Sequence, residues 1–167
     1  MGASALDVKW IFEKIRKLDF LTYSSDEEMI KLVQSMKKVC VEPGSSIIRQ
    51  GQKGEAYYLI RRGKVAVWAE TPEGRKRLAA LQDGDFFGEV SILTGEVCNA
   101  TVTADGDAEL FCLPPRALRK LVKANPTLAE KMAEAVAWRK GARELGLEPR
   151  AASREDLLGK IKKFLCR

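Results

Sequence analysis

The sequence predicts a mainly β protein, an antiparallel roll with helices at both ends, and three observations carry that prediction. First, turn signals recur at spacings of roughly ten residues from Pro43 onward: PG at 43–44, QG at 50–51, RG at 62–63, PEG at 72–74, DGD at 83–85, TG at 94–95 and DGD at 105–107. Second, the segments between them are short and apolar (AYYLI, KVAVW, LAAL, ATVTA, AELFCL), which indicates an antiparallel sandwich or barrel rather than a parallel sheet. Third, apolar residues fall at helical spacing before this region and again after it. With 167 residues, 46% of them hydrophobic and 31% charged, the chain suits one globular domain with helical extensions.

The elements follow in order. Residues 1–42 read as an N-terminal helical segment. Leu6, Trp10, Ile11, Ile15 and Leu18 form one stripe. In SSDEEMIKLVQSMKKV, either Ser24 with Glu27 or Ser25 with Glu28 fits a capping box, ahead of Met29, Leu32, Val33 and Met36. Residues 43–115 form the roll, and only GEVSIL within it has the composition of a single helical turn. Helix returns over 116–146, with Asn125 as a cap, Pro126 at a first helical position, and Leu128, Met132, Ala135 and Trp138 on one face. Gly146 and Pro149 end it. Residues 147–167 read as a short basic amphipathic helix, Leu157, Leu158, Ile161, Phe164 and Leu165 opposing Lys160, Lys162 and Lys163.

Composition removes several functional classes. The chain has no histidine, and its four cysteines (Cys40, Cys98, Cys112, Cys166) include no CxxC pair. No metal site or catalytic residue is therefore expected, and no enzyme, because the usual general base is missing and no paired-acid constellation stands out. Scattered cysteines argue against a disulfide framework and place the chain in a reducing cytoplasm. Charge-free runs reach about eight residues, as at Val97–Ala104, far short of a membrane span, and the N-terminus has no secretory pattern. Of the net charge of +6, the segment 139–167 carries +5, with nine basic residues against four acidic ones. Attraction to an anionic membrane therefore belongs to the tail, not the body.

The stretch FFGEVSILTGEVCNATVTA, residues 86–104, carries the chemistry. Gly84 and Gly88 let the backbone approach a ligand, and a helix start at Glu89–Leu93 presents unpaired N–H groups to an anion. A carboxylate beside a phosphate is repulsive, so Glu89 suits sugar hydroxyls instead. The same residues also fit a tight barrel turn with Glu89 solvated.

RQGQKGEAYYLIRRGKVAVW followed by LQDGDFFGEVSILTGE and ATVTA resembles the cyclic nucleotide-binding domain family of catabolite activators, kinase regulatory subunits and nucleotide-gated channels. The resemblance runs from about Leu18 to Arg143 and includes Gly51, Gly54, Tyr57, Gly63, Gly84, Phe86, Gly88 and Glu89. It implies an eight-stranded β-roll interrupted by a phosphate-cassette helix (cassette 86–101) and followed by hinge and lid helices, with cAMP or cGMP as ligand and no cofactor. By resemblance, Phe87, Gly88 and the amides of Glu89, Val90 and Ser91 lie near the cyclic phosphate, and Glu89 takes the ribose 2′-hydroxyl. The family continues Pro-Arg-small-Ala-Thr; here the register gives Val97-Cys98-Asn99-Ala100-Thr101. Ala100 and Thr101 fit, but the arginine that pairs with the phosphate is Cys98.

A charge-assisted hydrogen bond contributes about 1.5–3 kcal/mol, so its loss weakens binding roughly ten- to a few hundred-fold. A neutral thiol cannot replace it, whereas Asn99 offers one neutral donor. Cys98 reads as a small cassette filler or as a redox sensor. Thr101 stands where a hydroxyl in relatives contacts a syn guanine. Trp138, Arg139 and Arg143 are lid candidates over the base.

A DNA-binding member of the family carries a winged helix-turn-helix of roughly sixty residues after the lid. Only 24 residues follow Arg143, so no DNA-binding domain is expected in this chain. SREDLLGKIKKFLCR looks like the terminal helix of bacterial small-conductance mechanosensitive-type channels fused to a nucleotide-binding domain. The expectation is therefore a cytoplasmic regulatory domain of an inner-membrane channel or other effector attached N-terminally, with homo-oligomerisation as a further possibility. The alternative is a ligand-independent interaction domain that keeps the fold and has lost the pocket.

Overall fold

The computed structural model describes residues 4–16, 21 and 23–134. Two N-terminal helices come first, α1 (Ala5–Ile15) and α2 (Asp26–Gln34). Both start on capping boxes. In α1, Ser4 and Asp7 exchange side-chain and backbone hydrogen bonds, and in α2 the pair is Ser25 with Glu28. The backbone N–H groups of the N-cap residue and of the third helical residue are thereby satisfied in each helix.

Eight strands follow: β1 (Lys37–Val41), β2 (Ser46–Ile48), β3 (Tyr57–Arg62), β4 (Val65–Thr71), β5 (Gly74–Leu81), β6 (Phe86–Phe87), β7 (Thr101–Ala104) and β8 (Ala108–Leu113). They form two four-stranded antiparallel sheets, ordered β1-β8-β3-β6 and β2-β7-β4-β5. This is the antiparallel roll with flanking helices that the turn spacing predicts. Three strands, β1, β2 and β6, fall outside the five predicted segments, and β1 corrects the helical reading of residues 1–42. Helix α2 stops at Gln34, and Lys37–Val41 pairs residue by residue with β8, from Lys37 opposite Cys112 to Val41 opposite Ala108. The β-branched Val39 and Val41 suit a pleated strand, and the partner strand outweighs the helical spacing of the residues before them.

Between β6 and β7 lies α3 (Glu89–Thr94), the one helical turn expected inside the roll. Glycines in left-handed conformation bound it, Gly88 at φ 87° and Gly95 at φ 71°. After β8 come α4 (Pro115–Ala124) and, across Asn125, a helical run over 126–134. Asn125 sits at the junction as expected. Its carbonyl accepts from Leu128 N, while its side-chain amide donates to the Tyr23 carbonyl and so ties the junction to the N-terminal segment. Residues 135–167, with the lid candidates and the basic tail, lie outside the described residues.

The inner strands β3 and β8 of the first sheet are buried on both faces, and their successive residues serve different cores. Leu59 and Phe111 join Ile11, Met29, Leu118 and Met132 in a cluster between sheet and helices. Ile60 and Leu110 join Val65, Phe87, Val102 and Ala104 inside the roll. The two-residue side-chain period of a strand places the helices and the roll interior on opposite sides of one thin layer. At the far edge, β5 is exposed along nearly its whole length and carries Arg75, Lys76 and Arg77, charges of the kind that keep an edge strand from pairing with another chain.

Candidate functional site

The site is assembled at the break between β6 and α3. Gly88 is required there twice over. Its φ of 87° is left-handed, and a Cβ would stand 2.9 Å from the Ala56 carbonyl oxygen and 3.2 Å from the Tyr58 ring. The chain can therefore turn into α3 while pressed against β3. The Tyr58 and Phe87 rings stack 5.0 Å apart and form the floor behind it. Burial pushes the Tyr58 hydroxyl up to about 12 and the Cys112 thiol, directly opposite Tyr58 on β8, up to about 11. Both groups stay neutral at physiological pH.

Glu89 and Ser91 on α3 are buried, at 4% and 6% exposure. The Ser91 hydroxyl accepts from Gly54 N at 2.8 Å and donates to the Glu96 carbonyl at 2.6 Å. The turn at 51–54 is further laced to the cassette by Gly51 N donating to Cys98 O and Cys98 N donating to Gln52 O, both 2.7 Å, and by a β-bridge between Lys53 and Val97. Cys98 is thereby buried to 8% exposure, facing Gly54.

Together these residues surround a cavity of about 40 Å³, lined by Phe87, Gly88, Glu89, Ser91, Val97, Cys98, Asn99 and Ala100 with Ile48, Val67 and Val102. The structure thus brings together seven of the expected binding residues: Phe87, Gly88, Glu89, Ser91, Cys98, Asn99 and Ala100. Val90 belongs to α3 by its backbone. Thr101 does not line the cavity. Strand alternation turns it away from the face shared by Ala100 and Val102, and its Oγ1 accepts from Gln50 N at 3.1 Å. Trp138, Arg139 and Arg143 lie outside the described residues.

Sequence reasoning missed the 49–54 segment as part of the site. Arg49, Gln52, Lys53 and Glu55 line an adjoining notch of about 210 Å³ whose wall, Ile48 and Cys98, is shared with the cassette cavity. The signal was available in RQGQKGE, where two cations flank the glycine that touches Cys98. A larger groove of about 610 Å³ runs between α2 and α4, past Leu32, Arg116, Lys120 and Leu121. Size alone would favour it. Chemistry favours the smaller cavity, where a buried carboxylate, a glycine turn and a short helix converge. Among the described residues, no three of Cys, Asp and Glu could share a metal ion, and no helix is long and apolar enough to cross a membrane.

Comparison with known proteins agrees with this geometry. The family model for the cyclic nucleotide-binding domain matches residues 38–125. The alpha subunit of the cone photoreceptor cyclic nucleotide-gated channel of Gallus gallus is 34% identical over 113 residues, which is 62% of this chain but 15% of the channel subunit. Among solved structures, the regulatory domain of Toxoplasma gondii PKA crystallised with cAMP aligns at a TM-score of 0.64 and 22% identity, covering 77% of this chain and 50% of that one. The regulatory subunit of a cAMP-independent protein kinase A from Trypanosoma cruzi, bound to guanosine, also aligns at 0.64, with 20% identity over 86% of this chain and 52% of that one. The two structures share the fold, and the family match includes the strands and the cassette described above. On that match, this chain belongs to the cyclic nucleotide-binding domain family.

Proposed function

We propose that this chain is a ligand-sensing regulatory domain, in which a ribose-bearing ligand of the cyclic nucleotide type enters the cassette cavity weakly and biases an attached effector through the C-terminal helices. The observation that carries this reading is the two-sided placement of α3. Glu89 and Ser91 line the cavity, whereas Ile92, on the same helix, is buried in the cluster that holds Leu118, Leu121, Leu128 and Met132. A ligand that shifts α3 therefore disturbs the cluster that α3 shares with α4 and the 126–134 run, which is how a differential contact becomes a population shift.

Glu89 is the acceptor for ribose hydroxyls in this account, and the backbone at Gly88–Ser91 is the neutral part of an anion site. Cys98, where relatives carry arginine, explains the weakness. The effector is a membrane channel or a comparable partner outside the described residues, and the basic segment 139–167 is suited to an anionic surface near it.

Isothermal titration with cAMP and cGMP tests the reading. Binding in the high-micromolar to millimolar range that Glu89→Ala abolishes supports it, and no heat at millimolar ligand for either nucleotide counts against a cyclic-nucleotide sensor. A second reading, an interaction domain that has kept the roll and lost the ligand, is favoured by one observation: the cavity of about 40 Å³ is far below the size of a drug-sized pocket, so a ligand must part α3 from the 96–99 segment to seat. That reading predicts no native binding and the appearance of binding in Cys98→Arg.

A further inference from the structure

We propose that the groove between α2 and α4 is a docking site for an acidic amphipathic helix of a partner protein. The proposal holds whether or not the cassette takes a ligand, so it stands or falls apart from the function proposed above.

The sequence outside 139–167 is nearly neutral as a whole, but the fold polarises it. Helix α4, PRALRKLVKA, carries four cations and no acid. Its Leu118, Leu121 and Val122 are buried, and Arg116, Lys120 and Lys123 are exposed. Arg116 and Lys120 stand one helical turn apart and line the groove from the α4 side, while Lys31 lines it from α2. Glu28 is the one acid among the lining residues, and its carboxylate accepts from Ser25 N in the capping box at 2.8 Å. Three cations against one acid give the rims a positive field.

The floor between those rims is aliphatic. Leu32 and Leu121 form it together with Ala117 and Ala124, two small residues at helical spacing along α4. At ten residues α4 is about 15 Å long, so the trough of about 610 Å³ offers room for a few turns of helix. Apolar floor and charged rims are the terms on which a groove takes an amphipathic helix, here one whose Asp or Glu residues flank an apolar ridge. A flat anionic membrane would touch the rims and leave the floor uncovered. The chain's own segment 139–167 carries +5, which the rims repel. Leu32 and Leu121 share their cluster with Ile92 of α3, so a docked helix would bear on the packing that holds the cassette helix.

The test is fluorescence anisotropy of the full chain with a labelled synthetic helix of about eighteen residues, long enough to hold helical structure, with leucines on one face and glutamates on the flanks. A counterpart carries lysine at every glutamate. The glutamate peptide should bind about ten-fold or more tightly than the lysine one, and Arg116→Glu with Lys120→Glu should remove that difference. Ala124→Trp fills the floor without changing charge and should weaken the glutamate peptide by about ten-fold as well. Lys64→Glu with Lys76→Glu, the same charge change away from the groove, should leave its affinity as in the native chain. No binding of the glutamate peptide, equal binding of the two peptides, or equal loss in the Lys64/Lys76 variant overturns the proposal. So does a peptide of residues 147–167 that binds more tightly than the glutamate peptide, which would make the tail the occupant. Binding to phosphatidylserine vesicles that Arg116→Glu with Lys120→Glu abolishes and Ala124→Trp leaves intact, with no peptide binding, would assign the face to a lipid surface instead. Should the double reversal fail to fold, Ala124→Trp and the peptide pair decide the matter.

Discussion

Gly54 and Ser91, thirty-seven positions apart, are in direct contact: the Gly54 N–H donates to the Ser91 hydroxyl at 2.8 Å, and a Cβ on Gly54 would stand 2.6 Å from that oxygen. The turn after β2 and the cassette helix are therefore held by one hydroxyl, which also donates to the Glu96 carbonyl. Ser91→Ala leaves an amide and a carbonyl without their partner in a half-buried place, and should cost about 1–3 kcal/mol of stability. Chemical denaturation measures it. The slope of the unfolding curve should stay as in the native chain, because the fold itself is kept.

Gly88→Ala should be harmful to both fold and site. The left-handed backbone costs about 1–2 kcal/mol for any residue with a Cβ. Here the added carbon also meets the Ala56 carbonyl at 2.9 Å. Thermal unfolding should show a fall in Tm of several degrees, and titration should show ligand binding lost, since the amides that follow Gly88 would be displaced.

Ile92→Ala separates packing from binding. Ile92 is 2% exposed in the helical cluster and does not line the cassette cavity. Truncating it should cost about 2–5 kcal/mol, the range for a large-to-alanine change in a core. Affinity, read at a temperature where the variant remains folded, should change less than the ligand-induced response of α4. Equal loss of both would mean that α3 does not act as a link.

Asp7 makes α1 sensitive to acid. The Ser4 side chain, as hydrogen-bond donor, is the main cause that holds the Asp7 carboxyl below its ordinary value of 3.8, with further help from the Ser4 backbone, Lys38 and Arg61, against the opposing effect of burial. Its folded value is the lower one, so its contribution is present above about pH 4 and is lost as pH falls through the folded value. Arg61 lies 3.6 Å from Asp7 and also covers the Trp10 ring at 4.5 Å, so this acid fastens α1 to β3. Tm measured from pH 6 down to pH 3 should fall less steeply in Asp7→Asn than in the native chain, from a lower starting point.

Much of the architecture is legible because its signals are local. Turn glycines at 44, 51, 63, 84, 88 and 106 take positive φ, so the spacing that predicts strands reflects backbone that other residues adopt with difficulty. The capping box of α2 is equally local, although only the structure chooses Ser25 with Glu28 over Ser24 with Glu27. β1 is hidden because Met36 continues a helical stripe and no turn residue separates it from Lys37; the decisive contact is with β8, some seventy positions later. The cassette itself is readable as a sequence, from the glycine turn at Gly88 to Ala100. What a sequence does not display is that the Ser91 proton is already given to a carbonyl, that Thr101 faces away from its neighbours Ala100 and Val102, and that Arg49 and Lys53 line a notch sharing Ile48 and Cys98 with the cassette cavity. All three depend on which face of a strand or turn meets another, a long-range property.

Amide hydrogen exchange with and without saturating ligand tests the central claim most directly, because it reads site and link in one experiment. With whichever of cAMP or cGMP gives heat on titration, the account predicts slowed exchange at residues 88–99 and, in the same sample, a change at α4 and the 126–134 run, with the outer strand β5 unaffected. A ligand that alters exchange only away from the cassette, or that protects the cassette and leaves α4 unchanged, would contradict it.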